Sequence, residues 1–157
     1  MDIISSVGKK ELKVVTALNQ LCTRTGLIVC LCLIGYFFFM EAVGLQTVLV
    51  LRALNMIFMG GGILFALNRY SKLIRRKLDY FTGIRIGALV SLIASIPFAL
   101  FVGIYLRLDP VFMSYLRENM PLGEYISVVA AAAAIAAEGV VSGLIITFIV
   151  MPYFKRQ

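Results

Sequence analysis

Hydrophobic residues along this chain form four long runs separated by short polar segments. A helix that crosses a bilayer needs about 20 mostly apolar residues, and each run reaches that length. The runs predict spans over approximately residues 24–44, 48–68, 86–106 and 126–150. In the second run Arg52 lies near the start, where a long basic side chain can extend to the interface. The predicted fold is an all-α integral membrane protein, a four-transmembrane-helix bundle.

Two further segments have amphipathic patterns, which predict interfacial helices beside the spans. Residues 8–22 place apolar side chains at helical spacing with lysines on the opposite face. Residues 110–120 follow Asp109 and begin with Pro110, a pair that suits the start of a helix, and they also carry an apolar face. A loop remains the alternative for each segment.

Composition agrees with a membrane protein. Of the residues, 61% are hydrophobic and 15% are charged, whereas soluble domains have about 45–50% apolar and about 25% charged residues. No stretch has the composition of a linker, so residues 1–157 are predicted to form a single membrane domain. The first apolar run follows a polar segment and is not followed by a small-residue cleavage site, so we expect no cleavable signal peptide.

The distribution of lysine and arginine predicts the orientation. Twelve of the 15 basic residues precede the first span, lie between spans two and three, or follow the last span. Arg52, Arg107 and Arg117 are on the other side. Because cytoplasmic loops carry the excess of basic residues, both chain ends are predicted to be inside (N-in/C-in). The net charge of +7 is then a topology signal, and nucleic acid is not an expected partner.

The inventory of reactive side chains does not favour an enzyme. The chain has no histidine, which removes His-ligated haem and the usual zinc sites. Cys30 and Cys32 are two positions apart and fall on different faces of a helix, so they do not form a metal-binding pair. We therefore predict no catalytic residue, no metal and no cofactor.

Glu138 is the main candidate for a functional group. It lies about twelve residues from either end of the fourth predicted span, near the bilayer midplane, where a carboxyl group is costly and marks a candidate site. Ser95, Tyr36 and Asn55 are predicted at similar depth. Since residues 130–134 are all alanine, this helix is expected to be packed on much of its circumference, with Glu138 facing protein or a cavity.

Two interpretations of this polar layer remain open. In the first, Glu138 ionises in an ion or proton path, or contacts a partner subunit. In the second, a protonated Glu138 joins helices by hydrogen bonds to Asn55, Ser95 or Tyr36.

Small residues at a four-residue spacing predict close helix contact. They include Gly83, Gly87 and Ser91 on the third span, and Gly139 and Gly143 on the fourth. Packing of these two helices on each other is one interpretation, and a docking face for another subunit is the other.

Two charged features complete the pattern. A basic run between spans two and three is predicted to contact anionic lipid headgroups, with a cytoplasmic partner as the alternative. It comprises Lys72, Arg75, Arg76 and Lys77. Glu41 and Arg52 are separated by a short turn and are predicted to form a salt bridge at the opposite interface.

The segment from Tyr80 to Leu116 resembles a family of small four-helix membrane proteins of unknown function, found mainly in Bacteroidota. The residues that carry the resemblance are Gly83, Gly87, Tyr105, Asp109 and Pro110. The resemblance implies a multi-pass protein of the bacterial inner (cytoplasmic) membrane and brings no catalytic residues.

Three functions are compatible with these features. The leading hypothesis is a non-catalytic subunit or assembly factor of a larger inner-membrane complex, whose partners are the lipid bilayer and other membrane subunits. The second is a small homo-oligomeric transporter or channel that uses Glu138. The third, a membrane enzyme, requires reactive polar groups clustered at one interface, and the sequence offers no such cluster.

Overall fold

A computed structural model describes residues 2–44, 54–74, 78–119 and 127–156, which are helical almost throughout. Five helices are present in these ranges: α1 (Asp2–Ala42), α2 (Leu54–Ile74), α3 (Tyr80–Leu108), α4 (Pro110–Asn119) and α5 (Val128–Arg156). None of the described residues is in a β-strand. The prediction of an all-α fold is confirmed.

Three of the helices are long and apolar enough to cross a membrane. These segments are Val14–Ala42, Tyr80–Leu108 and Val128–Phe154. They correspond to three of the four predicted spans. The remaining predicted span, 48–68, begins in a part of the chain that the structure does not describe, and its described part lies in α2.

Helix α1 is continuous over 41 residues. At about 1.5 Å per residue it extends roughly 60 Å, about twice the thickness of the hydrocarbon core. The helix predicted over residues 8–22 is therefore present, and it runs into the first span without a break; its position at the membrane interface stays a prediction. Leu18 and Cys22 are buried, so the apolar face of this segment packs on the bundle.

The helix predicted after Asp109 is present as α4, with Pro110 at its first position. The Asp109 backbone N–H donates to the carbonyl oxygen of Tyr105 at 2.9 Å and closes the last turn of α3. Proline suits the first turn of the next helix because the N–H that it lacks has no partner there. The interfacial position of α4 stays a prediction.

Helix α3 is at the centre of the bundle and contacts each of the other helices. Its buried residues pack with those of α2 and α5 in one hydrophobic core. The largest apolar side chains that are almost fully buried are Ile63, Leu67, Ile86, Val90, Leu106 and Met151. Helices α1 and α2 run antiparallel. Tyr36 of α1 packs near Phe58 of α2, whereas Val29, which is earlier in α1, packs against Gly62, which is later in α2.

Candidate functional site

Small residues form a ladder of close contacts between α3 and α5, which we call the α3–α5 ladder. Gly87 faces Thr147, Ser91 faces Gly143, and Ser95 faces Gly139. A Cβ atom on Gly143 would lie 2.7 Å from Cβ of Ser91, and one on Gly139 would lie 2.8 Å from Cβ of Ser95. Real Cβ atoms do not approach within 3.0 Å, so glycine is required at both positions.

The ladder extends to both ends of the helix pair. Gly83 faces Met151 at one end, and Gly103 lies near Ala132 at the other. The five small residues predicted to mediate helix packing are thus all used within the chain. The structure places them in the contact between the third and fourth predicted spans.

Hydroxyl groups in the ladder are mostly satisfied by their own helices. Ser91 Oγ donates to the carbonyl oxygen of Gly87 at 2.7 Å, and Thr147 Oγ1 donates to that of Gly143 at 2.7 Å. Bonds of this i to i−4 kind let a hydroxyl group lie in an apolar interface without a partner on another helix. Ser95 Oγ is also buried, but has no hydrogen-bond partner within the described residues.

Exposure differs between the residues of the polar layer predicted around Glu138, and the layer itself stays a prediction. Glu138 is exposed on the bundle surface, whereas Ser95 is only 2% exposed. Because successive helical residues are rotated by about 100°, the residue before Gly139 points away from the face that contacts α3. Ser95 Oγ and Asn55 Oδ1 both lack a hydrogen-bond partner in the described part of the chain, so neither oxygen is bonded to Glu138. Tyr36 packs on Phe58, with ring centroids 5.4 Å apart.

Helix α5 is the least covered of the apolar helices. In the most apolar segment of α5 only 17% of the residues are buried, compared with 44% in that of α3. We expected this helix to be packed on much of its circumference, and within a single copy of the chain that expectation is wrong. One strip of α5 is used by the ladder, and four alanines of its N-terminal half, Ala130, Ala133, Ala134 and Ala137, are exposed.

Of the predicted headgroup-binding residues, Lys72 is exposed near the end of α2. Arg75, Arg76 and Lys77 lie outside the residues that the structure describes, and their contact with headgroups stays a prediction.

A polar cluster not predicted from the sequence joins α1 to the end of α3. Tyr105 Oη donates to Glu41 Oε1 at 2.8 Å and lies 3.2 Å from Asp109 Oδ2, also within hydrogen-bonding distance. The ring of Phe37 contacts that of Tyr105 edge-on, with centroids 4.9 Å apart. We call Glu41, Tyr105 and Asp109 the tyrosine–carboxylate cluster. Glu41 was predicted to pair with Arg52, which lies outside the described residues.

The spacing of Tyr105 and Asp109 was the available signal for this cluster, because residues four apart on a helix are neighbours. Glu41 is 64 residues from Tyr105, and no local pattern indicates that contact. The tyrosine–carboxylate cluster connects the end of α1 to the end of α3. Across the described ranges, no group of three or more metal-ligating side chains is arranged to hold a metal ion.

Comparison of the chain with protein-family models, with curated proteins and with solved structures finds no match in any of the three. The resemblance of residues 80–116 to a Bacteroidota family therefore stays a prediction.

Proposed function

We propose that this chain is a non-catalytic subunit, or an assembly or stabilising factor, of a larger complex in the bacterial inner membrane. The observation that carries the proposal is the exposed surface on the N-terminal half of α5, which we call the alanine face. It consists of Ala130, Ala133, Ala134, Ala137 and Glu138, all of them exposed.

The alanine face differs from the other exposed surfaces of the bundle. Helix α1 exposes Leu31 and Phe39, and α3 exposes Leu100 and Ile104, each by more than 60%. Bulky apolar side chains of this kind suit contact with acyl chains. Methyl groups allow the backbone of another helix to approach closely, and a mid-span carboxyl favours contact with protein over contact with hydrocarbon. The alanine face therefore suits a transmembrane helix of another subunit.

The proposal includes four membrane crossings with both chain ends on the cytoplasmic side. Contacts of Val29 with Gly62 and of Tyr36 with Phe58 set α2 antiparallel to α1. Contacts of Gly83 with Met151 and of Gly103 with Ala132 set α5 antiparallel to α3. This alternation supports α2 as a fourth span. The excess of basic residues on one side supports the orientation.

Replacing Ala134 with leucine is expected to release the chain from its complex without unfolding it. Ala134 is exposed, so the larger side chain fits the isolated bundle but blocks close approach of a second helix. The measurement is the mass and composition of the particle extracted gently from membranes that contain the tagged chain at its natural level. We expect stoichiometric partners with the unmodified chain and loss of most of them with Ala134→Leu.

Gly35→Leu is the matched control for Ala134→Leu. Gly35 is also exposed, and a Cβ atom there would meet nothing within 4 Å, but it is on α1, away from the alanine face. This variant should retain the partners. An unmodified chain that purifies alone, or equal partner loss in both variants, would contradict the proposed function.

The exposed position of Glu138 also favours a second candidate, a homo-oligomeric transporter or channel. Copies that pack through the alanine face would bring their Glu138 carboxyl groups towards a common axis. Such a protein would purify as a particle made of this chain alone, and Glu138→Gln would abolish its ion flux because the amide does not ionise. For an accessory subunit we expect Glu138→Gln to leave the composition of the complex unchanged, since the amide has nearly the same shape.

A further inference from the structure

A cleft between α1 and α2 opens at the end of the bundle opposite α4. Its volume is about 240 Å³, and it is lined by Ala17, Gln20, Leu21, Arg24, Arg69 and Leu73. We call it the α1–α2 cleft. A neighbouring polar cleft of about 410 Å³ shares Gln20 and Arg24 with it. No acidic residue is among the described residues that line either cleft.

Helix contacts place the two arginines at nearly the same depth. Gly26 packs against Ile93 of α3, and Arg24 is two residues further towards the end opposite α4. At about 1.5 Å per residue, this puts Arg24 roughly 6 Å from the level of Ser95. Gly62 packs against Val29, and seven residues further along α2 is Arg69, which brings Arg69 within about one turn of the same level.

This depth lies about 9 Å inside the boundary of the hydrocarbon core, whose half-thickness is about 15 Å, when Ser95 is near the bilayer centre. Arginine side chains at such a depth extend along the protein surface towards the interface. Both residues are exposed, so their guanidinium groups have room to do so. In the proposed topology, the interface towards which the two arginine side chains extend is the cytoplasmic one, and its lipid headgroups carry phosphate groups.

We propose that the α1–α2 cleft binds one anionic phospholipid. The phosphate lies between Arg24 and Arg69, because the planar guanidinium group can give a phosphate two parallel hydrogen bonds. The Gln20 amide donates to the headgroup. The acyl chains extend from the phosphate towards the bilayer centre, and Leu21 and Leu73 form the apolar part of the lining around the headgroup. Basic pockets between transmembrane helices on the cytoplasmic side bind anionic headgroups in this way.

Lipid binding in the α1–α2 cleft differs from the general electrostatic attraction between the basic loop and the membrane surface. A cluster of lysines and arginines outside the bilayer attracts any anionic surface and is screened by salt. The α1–α2 cleft combines two arginines with the apolar side chains of Leu21 and Leu73, so we expect it to favour a lipid over a soluble anion. The proposal rests on the proposed orientation of the chain but not on the alanine face.

Retention of phosphatidylglycerol by the full-length protein in mild detergent tests the proposal. Native mass spectrometry would count bound lipids for the unmodified chain, for Arg24→Gln/Arg69→Gln, and for the control Lys72→Gln/Arg85→Gln. The control removes the same charge from exposed residues that do not line the cleft. Because all four positions are exposed, each variant is expected to fold, which far-ultraviolet circular dichroism would check.

We expect one phosphatidylglycerol retained by the unmodified chain and by the control, and binding about tenfold weaker or more for the double arginine variant. Phosphatidylcholine should be retained weakly by all three, and a large excess of inorganic phosphate should not displace the lipid. Equal weakening in both double variants would overturn the proposal, since it would show diffuse attraction. Displacement by inorganic phosphate would overturn it as well. The particle composition measured with Ala134→Leu is independent of either result.

Discussion

Replacing Gly143 with leucine is expected to force α3 and α5 apart and to lower the thermal midpoint of the protein by several degrees. A Cβ atom at this position would already clash with Ser91, and Ile63 Cδ1 is 3.4 Å away on the other side. The remaining atoms of leucine have no space unless the helices move apart. Overpacking of this kind costs about 1–3 kcal/mol or more, a large part of the roughly 5–15 kcal/mol by which folded proteins are stable.

The measurement is the thermal midpoint of the purified protein in detergent, together with the fraction that elutes as a single species. Gly61→Leu is the matched control, because Gly61 is also within a helix but a Cβ atom there would meet nothing within 4 Å. The control should melt near the unmodified protein, since leucine is also the better helix former. Equal midpoints for Gly143→Leu and Gly61→Leu would show that the α3–α5 ladder does not hold the bundle together.

Replacing Tyr105 with phenylalanine is expected to loosen the junction of α1 with the end of α3. The substitution keeps the ring against Phe37 but removes the hydroxyl group that lies between the carboxyl groups of Glu41 and Asp109. Hydrogen bonds to charged groups contribute about 1.5–3 kcal/mol. The two carboxylates also lose the donor that they share, so the free energy of unfolding should fall by about 2 kcal/mol.

Thermal unfolding of Tyr105→Phe beside Tyr153→Phe checks this expectation. Tyr153 is 64% exposed, so removal of its hydroxyl group should have little effect. Cysteine labelling adds a local readout: a cysteine placed at exposed Ala42, next to Glu41, should react faster when Tyr105 is phenylalanine. Unchanged midpoint and labelling rate would mean that the tyrosine–carboxylate cluster does not join the two helices.

Patterns with a short period predicted most of the secondary structure. The apolar runs gave three helices able to cross a membrane, and the Asp109-Pro110 pair gave α4. The four-residue spacing of small residues identified both sides of the α3–α5 ladder. These predictions rest on local geometry, because a helix repeats its faces every three to four residues whatever it packs against.

Features that depend on how helices are rotated and matched were not predictable in the same way. Depth along a span placed Ser95 and Glu138 in one layer, but Ser95 is buried in the α3–α5 contact whereas Glu138 is exposed beside it. Glu41 was assigned to a neighbour in sequence, whereas Tyr105 reaches it from a helix 64 positions away. An apolar face over residues 8–22 suits a membrane surface and a protein core equally well, and only the burial of Leu18 and Cys22 decides between them.

The α3–α5 ladder also restricts how this protein can move. At Gly87 the glycine is on α3, whereas at Gly139 and Gly143 it is on α5. A slide of α5 by one turn, about 5.4 Å, would set Ser91 against Thr147 in one direction, which gives a clash. In the other direction it would set Gly87 against Gly143, which leaves a void. Helices α3 and α5 therefore pack in a single register. A conformational signal crossing this bundle must use tilt or separation of helices, because a piston movement between α3 and α5 is blocked.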